Sequence, residues 1–365
     1  DFPWRNGPCY LGRMLRPIDA PLHAMASPSP TSPRAAARAG VSVRAPGRLH
    51  LGFLDPSGSL GRRFGSIGLV IDGFETELEL ACADHDALSA DTLAAQDELG
   101  RAAAHLQRLR ERSGCHAPLS LRLRQVLPAH AGFGSGTQLA LAVGRAFARL
   151  QALDLDTPTL ASWLGRGLRS GIGIAGFDAG GLLLDGGPGR DGSPAQLLSR
   201  VELPPGWRVI VVLDDRVSGL SGAGEREAIA RLPPLPQSAA ADICHQVLMR
   251  VMAGAASDDF AAFAPGLNRV QQLLGDHFAP AQDGSAWTSA AVGRLMRWWG
   301  ASAGDAAAIG QSSWGPTGFA IVPSAQAAQG LIDAARTAGV VDAGLQIRVV
   351  GARRHGAAVA DLPAR

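Results

Sequence analysis

The stretch Leu127–Gly144, LPAHAGFGSGTQLALAVG, is a glycine-rich segment that runs directly into an apolar, alanine-rich segment. Its glycines and the hydroxyl residues among them are Gly132, Gly134, Gly136, Ser135 and Thr137. This pattern predicts a loop that opens a helix. Unpaired N–H groups and the helix dipole make such a helix start favourable for an anion, and glycines allow close approach. An ordinary strand–helix turn has the same local pattern, so the loop alone leaves its function open.

The basic residues of this chain are unusual in kind rather than in number. The chain has 365 residues, with 34 basic and 32 acidic residues and a net charge of +2, which does not suggest a protein that coats nucleic acid. Every basic residue is an arginine. This excludes a P-loop lysine and a Schiff-base lysine. Phosphates or carboxylates must therefore be held by guanidinium groups, backbone N–H groups, hydroxyls or a metal.

The rest of the composition predicts a reduced, cytoplasmic chain rather than a membrane or secreted protein. The four cysteines have neither zinc-site nor redox spacing. No apolar run reaches the length of a membrane span. Residues 1–39 are rich in Pro, Ser, Ala and Arg and lack a signal-peptide core, so we expect a flexible leader outside the fold.

Hydrophobic periodicity predicts an α+β chain with two domains. Residues 41–46, 48–54, 66–72, 75–83 and 118–128 resemble strands, and helices are predicted at 91–113, 138–150 and from Pro158 to near Ser170. A glycine-rich turn at 170–181 then leads to a strand at 182–187. We place a domain boundary between residues 205 and 206, giving domains 40–205 and 206–365. The second has strands at 206–215 and 345–352, two strand-like runs within 306–323, and helices at 222–231, 238–255, 258–275, 285–299 and 324–338.

Three further segments carry candidate functional residues. Arg48 and His50 share one face of a strand by alternation, which suits an anionic substrate, although a solvent-facing polar edge has the same pattern. Asp178 follows a G-x-G-x-x-G turn that lacks the strand-before, helix-after order of a dinucleotide site, and a turn-stabilising role is the alternative. A late turn, GQSSWGPTGFA, offers hydroxyls and a Gly-Pro pair, and a simple hairpin loop explains it equally well.

The order of these segments resembles the GHMP kinase superfamily. The resemblance rests on a Pro-Gly-Arg strand, the glycine loop before a helix and the late "GPT" turn, and it extends from residue 41 to near the C-terminus. It implies a GHMP kinase-like α+β fold, with an N-terminal domain like domain 2 of ribosomal protein S5 and a ferredoxin-like C-terminal domain. The loop departs from the kinases, since Gly136 stands where they have a second serine.

Four segments in order, GRLHLGFLD, GFGSGTQLALAVG, RSGIGIAGFDAGGLLLDGG and GQSSWGPTGF, resemble one divergent branch, the β-ribofuranosylaminobenzene 5′-phosphate synthase family. That family joins 4-aminobenzoate or 4-hydroxybenzoate to phosphoribosyl diphosphate, releasing CO₂ and diphosphate in tetrahydromethanopterin biosynthesis, usually with Mg²⁺. The resemblance thus implies a decarboxylating pentosyltransferase with small-molecule substrates and neither nucleic acid nor a membrane as partner. The sequence leaves open the preferred benzoate and whether the chain forms a homodimer.

On this interpretation the predicted site residues have distinct tasks. Arg48 grips a carboxylate or phosphate, and His50 and Asp178 transfer protons or orient the substrate; Glu225 is a further acidic candidate. Ser135 and Thr137 are candidate Mg²⁺ ligands. Residues expected to bind the substrate or its diphosphate are Gly132, Gly134, Ser135, Gly136, Thr137, Gln138, Ser312, Ser313, Gly315 and Thr317. The alternatives are an ATP-dependent kinase of the same fold, with Asp178 as base, and a non-catalytic RNA- or partner-binding module.

Overall fold

A computed structural model describes residues 40–363 apart from residue 221, and the predicted leader 1–39 lies outside the described residues. The described part belongs to one compact unit built on two sheets. Its strands are β1 Gly40–Asp55, β2 Phe64–Cys82, β3 Ala87–Ala90, β4 Leu119–Gln125, β5 Leu182–Asp185, β6 Leu197–Val201, β7 Arg208–Leu213, β8 Ala308–Gln311, β9 Thr317–Val322, β10 Gln346–Val350 and β11 Ala358–Leu362.

Ten α-helices accompany these strands in the described part of the chain. They are α1 Leu93–Ser113, α2 Ser135–Leu150, α3 Thr157–Trp163, α4 Ile172–Asp178, α5 Gly222–Arg231, α6 Gln237–His245, α7 Ala253–Ser257, α8 Phe260–Phe278, α9 Ala290–Ala303 and α10 Ala325–Thr337. A π-helical segment, Gln246–Met252, joins α6 to α7.

The larger sheet has seven strands in the order β11-β1-β2-β4-β3, with β5 paired to β2 and β6 paired to β5. Only β3 and β4 run parallel; the other pairs are antiparallel. The smaller sheet is antiparallel, in the order β10-β7-β9-β8. The predicted boundary at 205/206 falls between β6 and β7, where the chain passes from one sheet to the other, whereas β11 returns to pair with β1.

Alternation along β7 explains how the smaller sheet is covered on both faces. Val209, Val211 and Leu213 pack into a core that α8 shares with the larger sheet. Ile210 and Val212 point the other way, against α9 and α10. A separate core lies where α1 and α2 cover the larger sheet. Burial of alternate residues on opposite faces is what a strand period of two dictates.

Some local predictions were wrong. The four short strands predicted between residues 41 and 83 are two long strands, because shifts in register near Pro46 and His50 let β1 continue past Pro46-Gly47. The helix at Pro158 ends at Trp163, before two glycines with positive φ, Gly165 and Gly167. The segment predicted as a glycine-rich turn at 170–181 contains helix α4. Strands β3, β6 and β11 were missed.

Candidate functional site

The glycine-rich loop forms a helix start without a side-chain cap. Gly132 and Gly134 have φ angles of 93° and 76°, a left-handed conformation that L side chains rarely adopt. Gly134 is the N-cap of α2, and no side chain accepts a hydrogen bond from the first N–H groups of the helix. The 16-residue helix therefore presents its positive end at Ser135 and Gly136, both of which line a cavity. This confirms that the loop opens a helix.

Ser312 ties the three predicted segments to one another. Its hydroxyl accepts a 2.9 Å hydrogen bond from the backbone N–H of His50 and donates one of 2.8 Å to the carbonyl oxygen of Gly132. The backbone N–H of Ser313 in turn donates to the carbonyl of His50 at 3.2 Å. Gly315 lies so close to the loop that a Cβ there would be 2.4 Å from the carbonyl group of Ala131. The strand, the loop and the late turn thus form one wall.

This wall borders a cavity of about 870 Å³ whose charge is strongly positive. Glu225, on α5, is the one carboxylate among the described lining residues, and it forms a 2.7 Å ion pair with Arg169. Six arginines line the same space: Arg48, Arg63, Arg101, Arg166, Arg169 and Arg226. A cavity with this excess of guanidinium groups suits a ligand with several negative charges.

Arg48 is attached to the loop by both backbone and side chain. Its backbone N–H donates to the Phe133 carbonyl at 3.1 Å, and its Nη1 donates to the Gly132 carbonyl at 2.6 Å. Its buried Nε has no hydrogen-bond partner in the described part of the chain. Burial lowers the pKa of Arg48 to about 10, against the opposing effect of Glu225, so the side chain stays charged at neutral pH.

His50 is a neutral imidazole at neutral pH. It is only 4% exposed, and its ring meets the ring of Phe53 edge-on, with centroids 4.6 Å apart. Burial lowers the pKa of His50 to about 3, and the charges of Arg48 and Arg169 add to the effect. Its Nε2 has no hydrogen-bond partner among the described residues. His50 is therefore suited to forming a hydrogen bond with a ligand, and poorly suited to taking up a proton.

A second cavity, of about 620 Å³, also has His50 in its wall. Four residues line both cavities: His50, Phe53, Ser313 and Trp314. The second cavity is more aromatic, and Trp287, Trp314 and Phe278 contribute to its wall. Trp314 and Phe278 pack at 4.7 Å between ring centroids. An aromatic ring that binds there would lie next to the charged cavity rather than inside it.

The structure brings most of the predicted binding residues to the charged cavity. Those that line it are Arg48, His50, Gly132, Gly134, Ser135, Gly136, Thr137, Ser313 and Gly315. Three others lie behind the wall. Gln138 is buried and donates to the Gly173 carbonyl at 2.8 Å, Ser312 makes the bridge already described, and Thr317 is buried in β9 with no partner for its hydroxyl in the described residues. These three support the wall without facing the cavity.

Asp178 is not among the residues that line either cavity. It is the last residue of α4 rather than the head of a strand, and its side chain accepts a 2.6 Å hydrogen bond from the hydroxyl of Thr157. Arg145 donates to the same hydroxyl at 2.7 Å. The placement of Asp178 in the site was wrong because the sequence pattern was interpreted as a turn, whereas the helix carries this carboxylate away from the loop.

A magnesium site made of protein ligands alone does not occur in the described part of the chain. No group of three or more His, Cys, Asp and Glu residues there could hold a metal ion. The hydroxyls of Ser135 and Thr137 line the cavity, with Glu225 among the same lining residues. Mg²⁺ accepts such oxygen ligands when substrate phosphates complete its coordination. The donor set therefore fits a metal that arrives with a diphosphate.

Sequence reasoning missed five of the six arginines that line the charged cavity. Arg101 comes from α1, and Arg166 and Arg169 come from the segment after α3. A backbone N–H anchors that segment: Gly171 donates to the buried carboxylate of Asp185 at 2.8 Å. The RGLRS run was a usable signal, since it places two arginines next to the second glycine-rich segment in a chain without lysine.

Comparison with known proteins agrees with this architecture. Residues 99–181 match the GHMP kinases N terminal domain. The chain resembles homoserine kinase from Cytophaga hutchinsonii, with a TM-score of 0.58 at 16% identity over 90% of this chain and all of that one. It also resembles mevalonate diphosphate decarboxylase from Staphylococcus aureus, with a TM-score of 0.62 at 15% identity over 88% and 98% of the two chains. These structures confirm the predicted GHMP kinase-like α+β fold. No helix in the described part of the chain is both long and apolar enough to cross a membrane.

Curated relatives at higher identity are more specific. The β-ribofuranosylphenol 5′-phosphate synthase of Archaeoglobus fulgidus is 31% identical over 298 residues, which cover 78% of this chain and 88% of that protein. The protein of the same name from Methanothermobacter thermautotrophicus is 28% identical over 63% of this chain and 74% of its own length. The chain belongs to the β-ribofuranosylphenol 5′-phosphate synthase family, whose members are enzymes.

Proposed function

We propose that the chain transfers the 5-phosphoribosyl group of phosphoribosyl diphosphate to 4-hydroxybenzoate or 4-aminobenzoate, releasing CO₂ and diphosphate in tetrahydromethanopterin biosynthesis. The relatives are named for a phenol product, which 4-hydroxybenzoate would yield. The observation that carries the proposal is the cavity, in which a glycine-rich helix start and six arginines face one carboxylate. That charge balance suits a donor with a diphosphate and a phosphate.

The bonds that change define what the cavity must do. The bond from ribose C1 to diphosphate breaks, a bond forms between C1 and the ring carbon that carries the carboxylate, and CO₂ leaves with its bonding electrons returned to the ring. No proton has to move to or from carbon. The departing diphosphate gains one negative charge, which N–H groups and guanidinium groups stabilise.

The residues of the wall have groups suited to each of these steps. The N–H groups at Ser135 and Gly136 stabilise the leaving group, and the side chain of Arg48 stabilises a neighbouring anion of the substrates. Neutral His50 lies between the charged cavity and the aromatic one, so it is placed to orient the ring through a hydrogen bond. Ser135, Thr137 and Glu225 would hold Mg²⁺ together with the diphosphate, and the ion would supply further positive charge.

The position of Asp178 weighs against the kinase alternative. A kinase of this fold needs a base beside the acceptor hydroxyl, and the residue that sequence reasoning assigned to that task lies outside both cavities. The remaining carboxylate of the charged cavity, Glu225, is already paired with Arg169. The likeness to kinases at 14–17% identity reflects the fold alone.

The decisive experiment follows the carboxylate carbon. The protein is incubated with phosphoribosyl diphosphate, Mg²⁺ and carboxyl-labelled 4-hydroxybenzoate or 4-aminobenzoate, and released CO₂ is counted. We expect release that depends on both substrates and is stoichiometric with diphosphate. Absence of release with either benzoate, together with alcohol-dependent ATP hydrolysis, would overturn the proposal in favour of a kinase.

A further inference from the structure

Two guanidinium groups converge on one glycine of the loop. A Cβ placed on Gly136 would lie 2.6 Å from Nη2 of Arg101 and 3.5 Å from Nη1 of Arg166. Both arginines line the charged cavity, and Gly136 is the second residue of α2. Two positive side chains therefore meet at the positive end of a helix, where each disfavours the other.

The protein compensates only part of this charge. Nη1 of Arg101 donates to both carboxylate oxygens of Glu98, at 2.9 and 2.8 Å, which leaves Nη2 over Gly136. Arg166 has no carboxylate partner within the described residues, and its buried Nε makes no hydrogen bond there. An unpaired, partly buried charge is costly unless something else binds to it.

The pKa of a neighbouring histidine, His105, reflects the same excess of positive charge. His105 lies one helical turn beyond Arg101, is 4% exposed, and neither of its ring nitrogens has a partner in the described part of the chain. Burial lowers the pKa of His105 to about 4, and Arg166 is the next largest cause. The field around Gly136 thus favours an anion over a further cation.

The arrangement is held by the backbone and does not rest on long side chains alone. The N–H of Arg166 donates to the Ala161 carbonyl at 2.7 Å. A few residues later, Ser170 and Gly171 donate to the buried carboxylate of Asp185, at 3.3 and 2.8 Å. Glu98, only 8% exposed, fixes Arg101 from the other side. A preorganised pair of cations of this kind loses little conformational entropy when a ligand binds.

We propose that Arg101 and Arg166 bind the diphosphate group of the ribosyl donor at the Gly136 end of the loop, opposite Arg48. This rests on the proposed function, since it takes the donor to be phosphoribosyl diphosphate. Because Gly136 has no side chain, both guanidinium groups can approach the start of the helix, where a phosphoryl oxygen can contact them together. Arg48, packed against Gly134, is then left to the sugar and the carboxylate.

Direct binding of inorganic diphosphate tests the assignment without catalysis. Isothermal titration would give the Kd of diphosphate and of ribose 5-phosphate for the wild-type protein, Arg101→Gln, Arg166→Gln and Arg112→Gln. Arg112 lies exposed near the far end of the same helix and lines neither cavity, so its variant removes the same charge as a matched control. We expect Arg101→Gln and Arg166→Gln to weaken diphosphate binding about tenfold or more, as loss of a charge-assisted hydrogen bond predicts.

The outcomes separate this proposal from the proposed function. Diphosphate affinity within about twofold of wild type in both variants overturns the assignment, whatever the CO₂ assay shows. So does weakening confined to ribose 5-phosphate, which would place the sugar phosphate there instead. Weaker diphosphate binding, with Arg112→Gln unchanged and thermal unfolding preserved, supports the pair even if no benzoate releases CO₂. A purely structural role would lower the unfolding temperature and leave the two ligands equally affected.

Discussion

The hydroxyl of Ser312 donates a 2.8 Å hydrogen bond to the carbonyl oxygen of Gly132, which precedes it by 180 residues. The two residues belong to segments that lie far apart in the sequence, and this contact joins the late turn to the glycine-rich loop. The same hydroxyl accepts from His50 N–H, so three segments share one oxygen atom. The loop geometry therefore depends on a residue that does not face the cavity.

Ser312→Ala is expected to loosen that junction. It leaves a buried N–H of His50 without its acceptor, which costs about 1–3 kcal/mol of unfolding free energy. Because Gly132 loses one of its two side-chain donors, we also expect a several-fold rise in KM for the ribosyl donor. Urea unfolding and steady-state kinetics measure the two effects. Ser313→Ala is the control for stability, since only the backbone of Ser313 makes hydrogen bonds in the described residues. Equal stability of the two variants would contradict the bridging role.

The contact between the loop and the late turn leaves no space for a methyl group. Gly132 has φ 93°, and a Cβ there would lie 2.4 Å from the backbone oxygen of Ser312. Gly61 has φ 98° and no heavy atom within 4 Å of the same position. Gly61→Ala should therefore cost only the strain of a left-handed residue, about 1–2 kcal/mol. Gly132→Ala should cost about 1–3 kcal/mol more and abolish most activity. A matching loss of unfolding free energy in both variants would show that the backbone contact is not limiting.

Local patterns predicted the parts of the fold that are fixed by neighbours in sequence. The helix behind the loop, the burial of β7 and the hairpin of β8 and β9 follow from glycine placement and apolar periodicity. Arg48, His50 and the loop were found for the same reason. Strands such as β11 could not be found in this way. Its sequence, AVADL, is short and contains an aspartate, and the strand is defined by its pairing with β1.

Residues brought together by tertiary structure escaped prediction. Arg101 resembles any exposed helical arginine, and only the packing of α1 against α2 places it over Gly136. For Asp178 the error was the reverse, since a residue outside the cavities was predicted to be in the site. Its position after a glycine-rich run suggested a site, whereas the short helix α4 directs its side chain to Thr157. Which side of a helix faces a cavity depends on contacts that are distant in sequence.

Protonation of buried histidines should make the protein less stable in acid. The pKa of His50 is about 3 in the fold, below the ordinary value of 6.5, so the unfolded chain binds a proton that the native state does not. Stability is then lost as the pH falls from about 6.5 towards 3, and His105 acts in the same direction. In His50→Gln the slope of unfolding free energy against pH should be smaller by about 1.4 kcal/mol per pH unit between pH 4 and 6. Urea unfolding across this range measures it, and the exposed His116→Gln serves as control. An unchanged slope in His50→Gln would mean that the imidazole is protonated in the native state.

Replacing Asp178 should leave catalysis intact. Asp178→Asn keeps an oxygen that accepts from Thr157, so kcat and KM should stay within about twofold of wild type, whereas removal of a general base costs about 100-fold or more. Asp178→Ala deprives the Thr157 hydroxyl of its acceptor, and we expect it to lower unfolding free energy by about 1 kcal/mol with little change in kcat.

Arg48→Gln provides the contrast within the cavity, because it removes the side-chain donor to Gly132 together with the nearby charge, and should reduce kcat/KM at least about tenfold. A large loss of kcat in Asp178→Asn, at unchanged stability, would show that this carboxylate takes part in the reaction. It would thereby support the kinase alternative.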